Sequence, residues 1–172
     1  MKSYIGGWDM EIHIKERDTF YICGYCVETT LAQNDDDVSA LYDDFFDNQK
    51  DAILMKLNDC KKGYYGLIWN TKDHERYCYL LGVEVGQENT APENAVLKKV
   101  SSTKYAVASF PQGEDIIKAW TEFFYKEIPK AGFRVNDEDN AYFEFYHDGV
   151  QGEFELWVPV VKADAVIKTK AI

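Results

Sequence analysis

Two stretches of the chain carry the same succession of elements about 77 residues apart, and this internal repetition limits the possible folds more than any other feature. Phe45-Phe46 answers Phe123-Phe124, Tyr65-Gly66-Leu67-Ile68-Trp69 answers Tyr142-Phe143-Glu144-Phe145-Tyr146, and Leu81-Gly82-Val83 answers Val158-Pro159-Val160, at offsets of 77 or 78 residues. With 4 Trp, 12 Tyr and 10 Phe in 172 residues, one aromatic match arises easily by chance, but three in order at one spacing do not. Each unit reads strand, helix, strand, strand. Neither has enough apolar residues for a core of its own, so the two are expected to pack about a pseudo-twofold axis and leave a crevice. The expected class is α+β: antiparallel strands, as one split sheet or two sheets, with two helices around that cleft.

Local patterns place the elements. Glu11–Lys15 alternates as a strand and Phe20–Glu28 continues as a second. Asn34 to Asp37 offers an N-cap and an acidic first turn, and Val38, Leu41, Tyr42 and Phe45 follow at helical spacing, predicting a helix over 36–46 and a further helical piece over 51–57. Tyr64–Trp69 and Tyr77–Val85 read as a hairpin. Gly86–Asn94 is rich in turn formers and reads as the linker. Val96–Phe110 is strand-like. Glu114 and Asp115 start a helix carrying Ile116, Ile117, Trp120, Phe123, Phe124 and Ile128, which Pro129 and Gly132 stop. Tyr142–His147 and Glu153–Val161 flank a turn at Asp148-Gly149. The whole chain, 1–172, is thus one domain: repeat 1 over about 10–86, the linker, repeat 2 over about 95–162 and a tail over 163–172.

A net charge of −11 repels phosphate backbones and anionic lipid surfaces and favours cationic partners. No apolar run reaches the roughly 20 residues of a membrane span and no signal segment is visible, so a cytoplasmic location is expected. Cys23 and Cys26 form a C-x-x-C pair, but on a strand residues i and i+3 point to opposite faces. With Cys60 and Cys78 they are read as buried free thiols. His13, His74 and His147 have no metal-ligand spacing. No metal and no cofactor are expected.

Arg76-Tyr77-Cys78-Tyr79-Leu80-Leu81-Gly82-Val83-Glu84-Val85 resembles the Y-x-x-G-V-E-V segment of GyrI-like effector-binding domains. Tyr105-Ala106-Val107, the break at Pro111–Gly113, the helix with Trp120, Phe143-Glu144-Phe145-Tyr146 and Trp157-Val158-Pro159-Val160 are similar to that family's second repeat, so the resemblance spans about 10–161. It implies a tandem strand-helix-hairpin fold, and a place among the ligand-sensing domains of AraC- and MerR-type drug regulators and among gyrase-inhibitory proteins. Several such domains bind lipophilic cations in an aromatic cleft around an acid, which maps onto Glu144. Some stand-alone relatives instead hydrolyse strained cyclopropane compounds with a Glu and a Tyr. About ten residues precede the first strand, too few for a helix-turn-helix, so direct nucleic-acid binding is not expected.

Alternation puts Tyr142, Glu144 and Tyr146 on one face of their strand. The expectation is that this face looks into the crevice together with Trp157 of the neighbouring strand and Tyr65 and Trp69 of the first repeat. Leu67 would then stand where the second repeat has Glu144, and Phe154, Leu156 and Val158 would be covered by the helices. A carboxylate among rings loses hydration, which raises its pKa unless something donates to it; a tyrosine hydroxyl can donate, and a ligand cation stacked on the rings answers the same need. The candidate ligand-binding set is Glu144, Tyr142, Tyr146, Trp157, Tyr65, Trp69 and Trp120. Three readings remain: capture of a lipophilic cation, with a regulator as the possible protein partner; hydrolysis, in which Glu144 activates water and Tyr105, Tyr142 or Tyr146 donates a proton; and a gyrase-inhibitor-like interaction domain.

Overall fold

The computed structural model describes residues 3–5, 8–58, 63–136 and 141–164. A short hairpin, β1 (Ser3–Ile5) and β2 (Trp8–Met10), leads into β3 (Ile12–Arg17) and β4 (Phe20–Thr29). Helices α1 (Asn34–Asp47) and α2 (Lys50–Met55) follow, then the hairpin β5 (Tyr64–Asn70) and β6 (Tyr77–Val85). After the loop come β7 (Val96–Val100) and β8 (Thr103–Phe110). A second helical stretch runs through α3 (Ile116–Glu122), a π-helical turn (Phe123–Glu127) and α4 (Ile128–Lys130). The short β9 (Phe133–Val135) and the hairpin β10 (Tyr142–Tyr146) and β11 (Phe154–Lys162) complete the chain.

Nine strands form one antiparallel sheet in the order β3-β8-β11-β10-β5-β6-β4-β7, with β9 on β11. The order β8-β11-β10 on one side of the central β10–β5 ladder is answered by β4-β6-β5 on the other. That ladder runs without a gap from Tyr142 opposite Ile68 to Tyr146 opposite Tyr64. The sheet is therefore continuous where the two halves meet.

Among the described residues the helices lie on one face. Under the second helical stretch lie Ala106, Ala108, Phe110, Leu156, Val158 and Val160, with Ala119, Phe123 and Ile128 from above. Under α1 and α2 lie Cys23, Tyr25, Tyr79, Leu81, Val83 and Val85, with Phe45 and Leu54. The opposite face has its own aromatic cluster, built from strand residues and Ala141: Phe20, Tyr65, Leu67, Tyr105 and Phe143 at its centre, Trp69, Phe145 and Trp157 at its edge.

Several local expectations change. The cap of α1 is Gln33 and makes no side-chain cap bond; Asn34 accepts from Tyr77 and Asp37 from Thr29 Oγ1 at 2.7 Å, so these side chains tie the helix to the strands instead. Asp115 does cap α3, accepting from the amides of Ile117 and Lys118. Val96–Phe110 is two strands, broken at Ser101-Ser102. Pro129 lies inside the last turn rather than ending it, in the short α4 that follows the π-helical turn, and Gly132, at φ 88°, follows the helix end. Cys26 is exposed and Cys78 half-buried, not buried as expected; Cys60 lies outside the described residues, as does most of the expected tail.

Candidate functional site

Glu144 sits mid-strand on β10, flanked on its own face by Leu156 of β11 and Gly66 of β5. Gly66 is what makes room for it. A Cβ there would lie 2.2 Å from the Tyr79 hydroxyl and 2.5 Å from Glu144 Oε1. The missing side chain leaves a hollow in the middle of the sheet, which the carboxylate enters from β10 and the Tyr79 ring from β6.

The carboxylate is 5% exposed and accepts three hydrogen bonds. Tyr79 Oη donates to Oε1 at 2.5 Å, Tyr146 Oη donates to Oε1 at 3.0 Å, and Trp120 Nε1 donates to Oε2 at 2.8 Å. Tyr79 has spent its only proton on Glu144, so Tyr42 Oη, 2.7 Å away, donates to it in turn. All these donors are neutral, and no Lys or Arg among the described residues pairs with Glu144. Burial raises the Glu144 pKa, and the three donors oppose that rise. Burial, followed by the nearby carboxylate, also raises the phenols of Tyr79, Tyr146 and Tyr42, which keeps them protonated and donating.

Half-buried rings surround this buried floor. Trp120 meets Tyr142 edge-on at 5.7 Å, and Phe124 meets Tyr142 at 5.8 Å. Tyr42 approaches Tyr79 at 6.1 Å from α1. The carboxylate thus lies where side chains of α1 and α3 converge on the sheet.

The structure brings together Glu144, Tyr142, Tyr146 and Trp120 from the candidate set. It does not bring Tyr65, Trp69, Trp157 or Tyr105 to them. Phe143, not Glu144, pairs with Trp157 across the ladder, and their rings stack at 5.3 Å on the opposite face. Tyr65 and Trp69 share that face, and Tyr105 packs edge-on against Phe143 and Trp157. Leu67 lies there as well, opposite Phe143; the residue across from Glu144 is Gly66. The helix-covered side is consequently the Glu144 side, with Leu156 and Val158 beside it. Arg17 closes part of the other face, 3.6 Å over Phe20 and paired at 2.5 Å with Glu84. Tyr79 and Tyr42 went unnoticed in the sequence. Tyr79 was legible only as one of two tyrosines in Tyr77-Cys78-Tyr79, and Tyr42 only as a helix-face aromatic.

Among the described residues no cluster of three or more His, Cys, Asp or Glu side chains is placed to hold a metal, and no helix is long and apolar enough to cross a membrane. A depression of about 450 Å³ beside the β10–β11 turn, lined by Pro111, Gln112, Asp148, Gln151, Gly152 and Glu153, shares no residue with the Glu144 cluster.

The sequence pattern described as Cass2, integron-associated effector binding protein, matches residues 13–160. No curated protein matches the chain. SAV2435, solved bound to tetraphenylphosphonium, is similar at 20% identity and a TM-score of 0.71, over 88% of this chain and 94% of that one. The integron cassette protein VCH_CASS2 from the mobile metagenome of Vibrio cholerae is similar at 23% identity and a TM-score of 0.62, over 87% and 95%. The C-terminal domain of EcmrR, a protein also solved in complex with DNA, is similar at 12% identity and a TM-score of 0.60, over 89% and 98%. These likenesses establish a shared fold.

Proposed function

The chain belongs to the Cass2 family of integron-associated effector-binding proteins, and from that premise we propose that it captures small lipophilic cations at Glu144, between the rings of Trp120, Tyr142, Tyr146, Tyr79 and Tyr42. One observation carries the reading: a carboxylate is buried among neutral donors, and no cation among the described residues balances it. Three donors aimed at two oxygens suit the ionised form, which accepts at both oxygens and has no proton of its own to place. Burial opposes that form, and each partly buried charge left unbalanced costs several kcal/mol. A lipophilic cation supplies the missing charge, covers the rings and adds about 0.5–2 kcal/mol for each cation–π contact. The tetraphenylphosphonium held by SAV2435 is a ligand of this class.

To reach the carboxylate, a cation has to move a ring. Trp120 is the element placed to give way: it is half-buried, and three residues later its helix loosens into the π-helical turn. Such turns interrupt the regular hydrogen-bond ladder and gather at functional positions. The mirrored strand order supports the duplicated unit read from the sequence, with the ligand seated above the central ladder between the two halves. Titration with tetraphenylphosphonium or a rhodamine dye, followed by tryptophan emission, tests the proposal. Saturable quenching is expected. No binding by the wild type, or equal binding by Glu144→Gln, would remove Glu144 from the function.

A further inference from the structure

On the helix-free face, Cys26 of β4 and Cys78 of β6 lie on neighbouring strands. Cys26 stands opposite Leu80, two positions from Cys78, so the two thiols form a diagonal pair on one face, near enough for the charge of one to bear on the other; the Cys26 thiol itself donates to the Val27 carbonyl at 3.9 Å. Cys26 is exposed and Cys78 half-buried. The outer neighbour β7 pairs with β4 only as far as Gly24, so β4 has no ladder partner on that side at Cys26 among the described residues. Loss of hydration disfavours both thiolates most, Glu28 adds to that, and the Lys98 ammonium opposes it in smaller part.

We infer that Cys26 and Cys78 are a redox-responsive dithiol, which closes to a disulfide linking β4 to β6 when it meets a small-molecule disulfide. In the reaction one sulfur attacks the reagent, releases one reagent thiol and forms a mixed disulfide. The second sulfur displaces the other reagent thiol and forms the Cys26–Cys78 bond. Two protein thiols are oxidised and one reagent disulfide is reduced to two thiols. Diagonal pairs of an antiparallel ladder lie just beyond ordinary disulfide reach, so closing the bond requires the strands to shift and leaves it strained and easily reduced, as befits a reversible link. Although Cys26 is exposed overall, loss of hydration around its sulfur holds the thiol up to about 12, so the pair rests as thiols at neutral pH and reacts faster as pH rises.

The link has a direct route to the carboxylate, because Tyr79 follows Cys78 in the chain and presents its hydroxyl to Glu144 on the other face. This second step rests on the function proposed above. The experiment treats the full chain with oxidised glutathione at graded pH, alkylates the remaining thiols and maps the peptides. A Cys26–Cys78 link is expected, forming faster at higher pH, lost on adding dithiothreitol and absent from Cys26→Ser and Cys78→Ser. Glutathione adducts alone, or a link through Cys23 or Cys60, would overturn the dithiol. Rhodamine titration of the reduced and oxidised protein then reads the coupling. A several-fold change in affinity is expected and equal affinities would overturn it, whereas a reduced protein that binds no dye counts against the Glu144 reading and leaves the link to be judged by the peptide map.

Discussion

The Tyr79 hydroxyl reaches Glu144 Oε1 across an intervening strand, passing over Gly66 to close a 2.5 Å hydrogen bond. Removing that hydroxyl leaves a buried carboxylate with one donor fewer and Tyr42 without its acceptor. Tyr79→Phe is expected to lose about 1–3 kcal/mol of stability in urea denaturation at neutral pH. It also removes one of the bonds holding the Glu144 pKa down, so the pH midpoint of cation binding should move upward.

Glu144→Gln keeps the shape of the side chain and deletes the charge. Affinity for tetraphenylphosphonium, measured by calorimetry, should fall by about 1–3 kcal/mol, the cost of a lost charge-assisted contact. A neutral ligand of similar shape should bind the wild type and the variant alike.

Glu144 titrates above its ordinary 4.5 because it is buried. Cation binding should therefore be weak at acid pH, where the carboxyl is neutral, and rise to a plateau as pH passes the raised pKa. The stability term has the opposite slope. A folded-state pKa above the unfolded one means the folded protein holds the proton more tightly, so the contribution is full below the unfolded pKa and is lost as pH rises through the folded one. Without ligand, the stability of the wild type relative to Glu144→Gln should fall with rising pH above 4.5. A flat difference between the two denaturation series would mean that the Glu144 pKa is not raised in the folded protein.

Gly66→Ala forces a methyl group against the Tyr79 hydroxyl and Glu144 Oε1. Overpacking of this kind costs about 1–3 kcal/mol. Thermal denaturation should show the loss, and dye binding should weaken with it, because the two atoms displaced belong to the proposed site.

The two faces are told apart by tryptophan. Trp120→Phe removes a donor to Glu144 and a rim ring, and should weaken rhodamine binding by about 1–2 kcal/mol. Trp157→Phe, on the opposite face, should leave the affinity unchanged. The reverse result would move the ligand to the helix-free side.

The sequence read most elements and the grouping of Tyr142, Glu144 and Tyr146, because alternation within a strand is a property of the strand alone. What it misread was the pairing between strands. Glu144 was set beside Trp157, whereas the ladder sets Phe143 there, and a shift of one residue turns a side chain to the other face. Apolar content does not tell the two registers apart, since both faces of this sheet are packed with aromatic residues. The same shift put Leu67 in place of Gly66, hiding the hollow. Tyr79 and Tyr42 are 65 and more residues from Glu144 in the chain, and only the topology brings them to it.

The β10–β5 ladder also decides where the carboxylate's keepers come from. Glu144, Tyr146 and Trp120 belong to the C-terminal strands and helix, while Tyr79, Tyr42 and the permissive Gly66 belong to the N-terminal ones. Cut at the loop before β7, the polypeptide would yield one piece holding hydroxyls with nothing to receive them and another holding an acid short of its shortest bond. The proposed site is a joint possession, and reassociation of the two pieces is the condition for its existence.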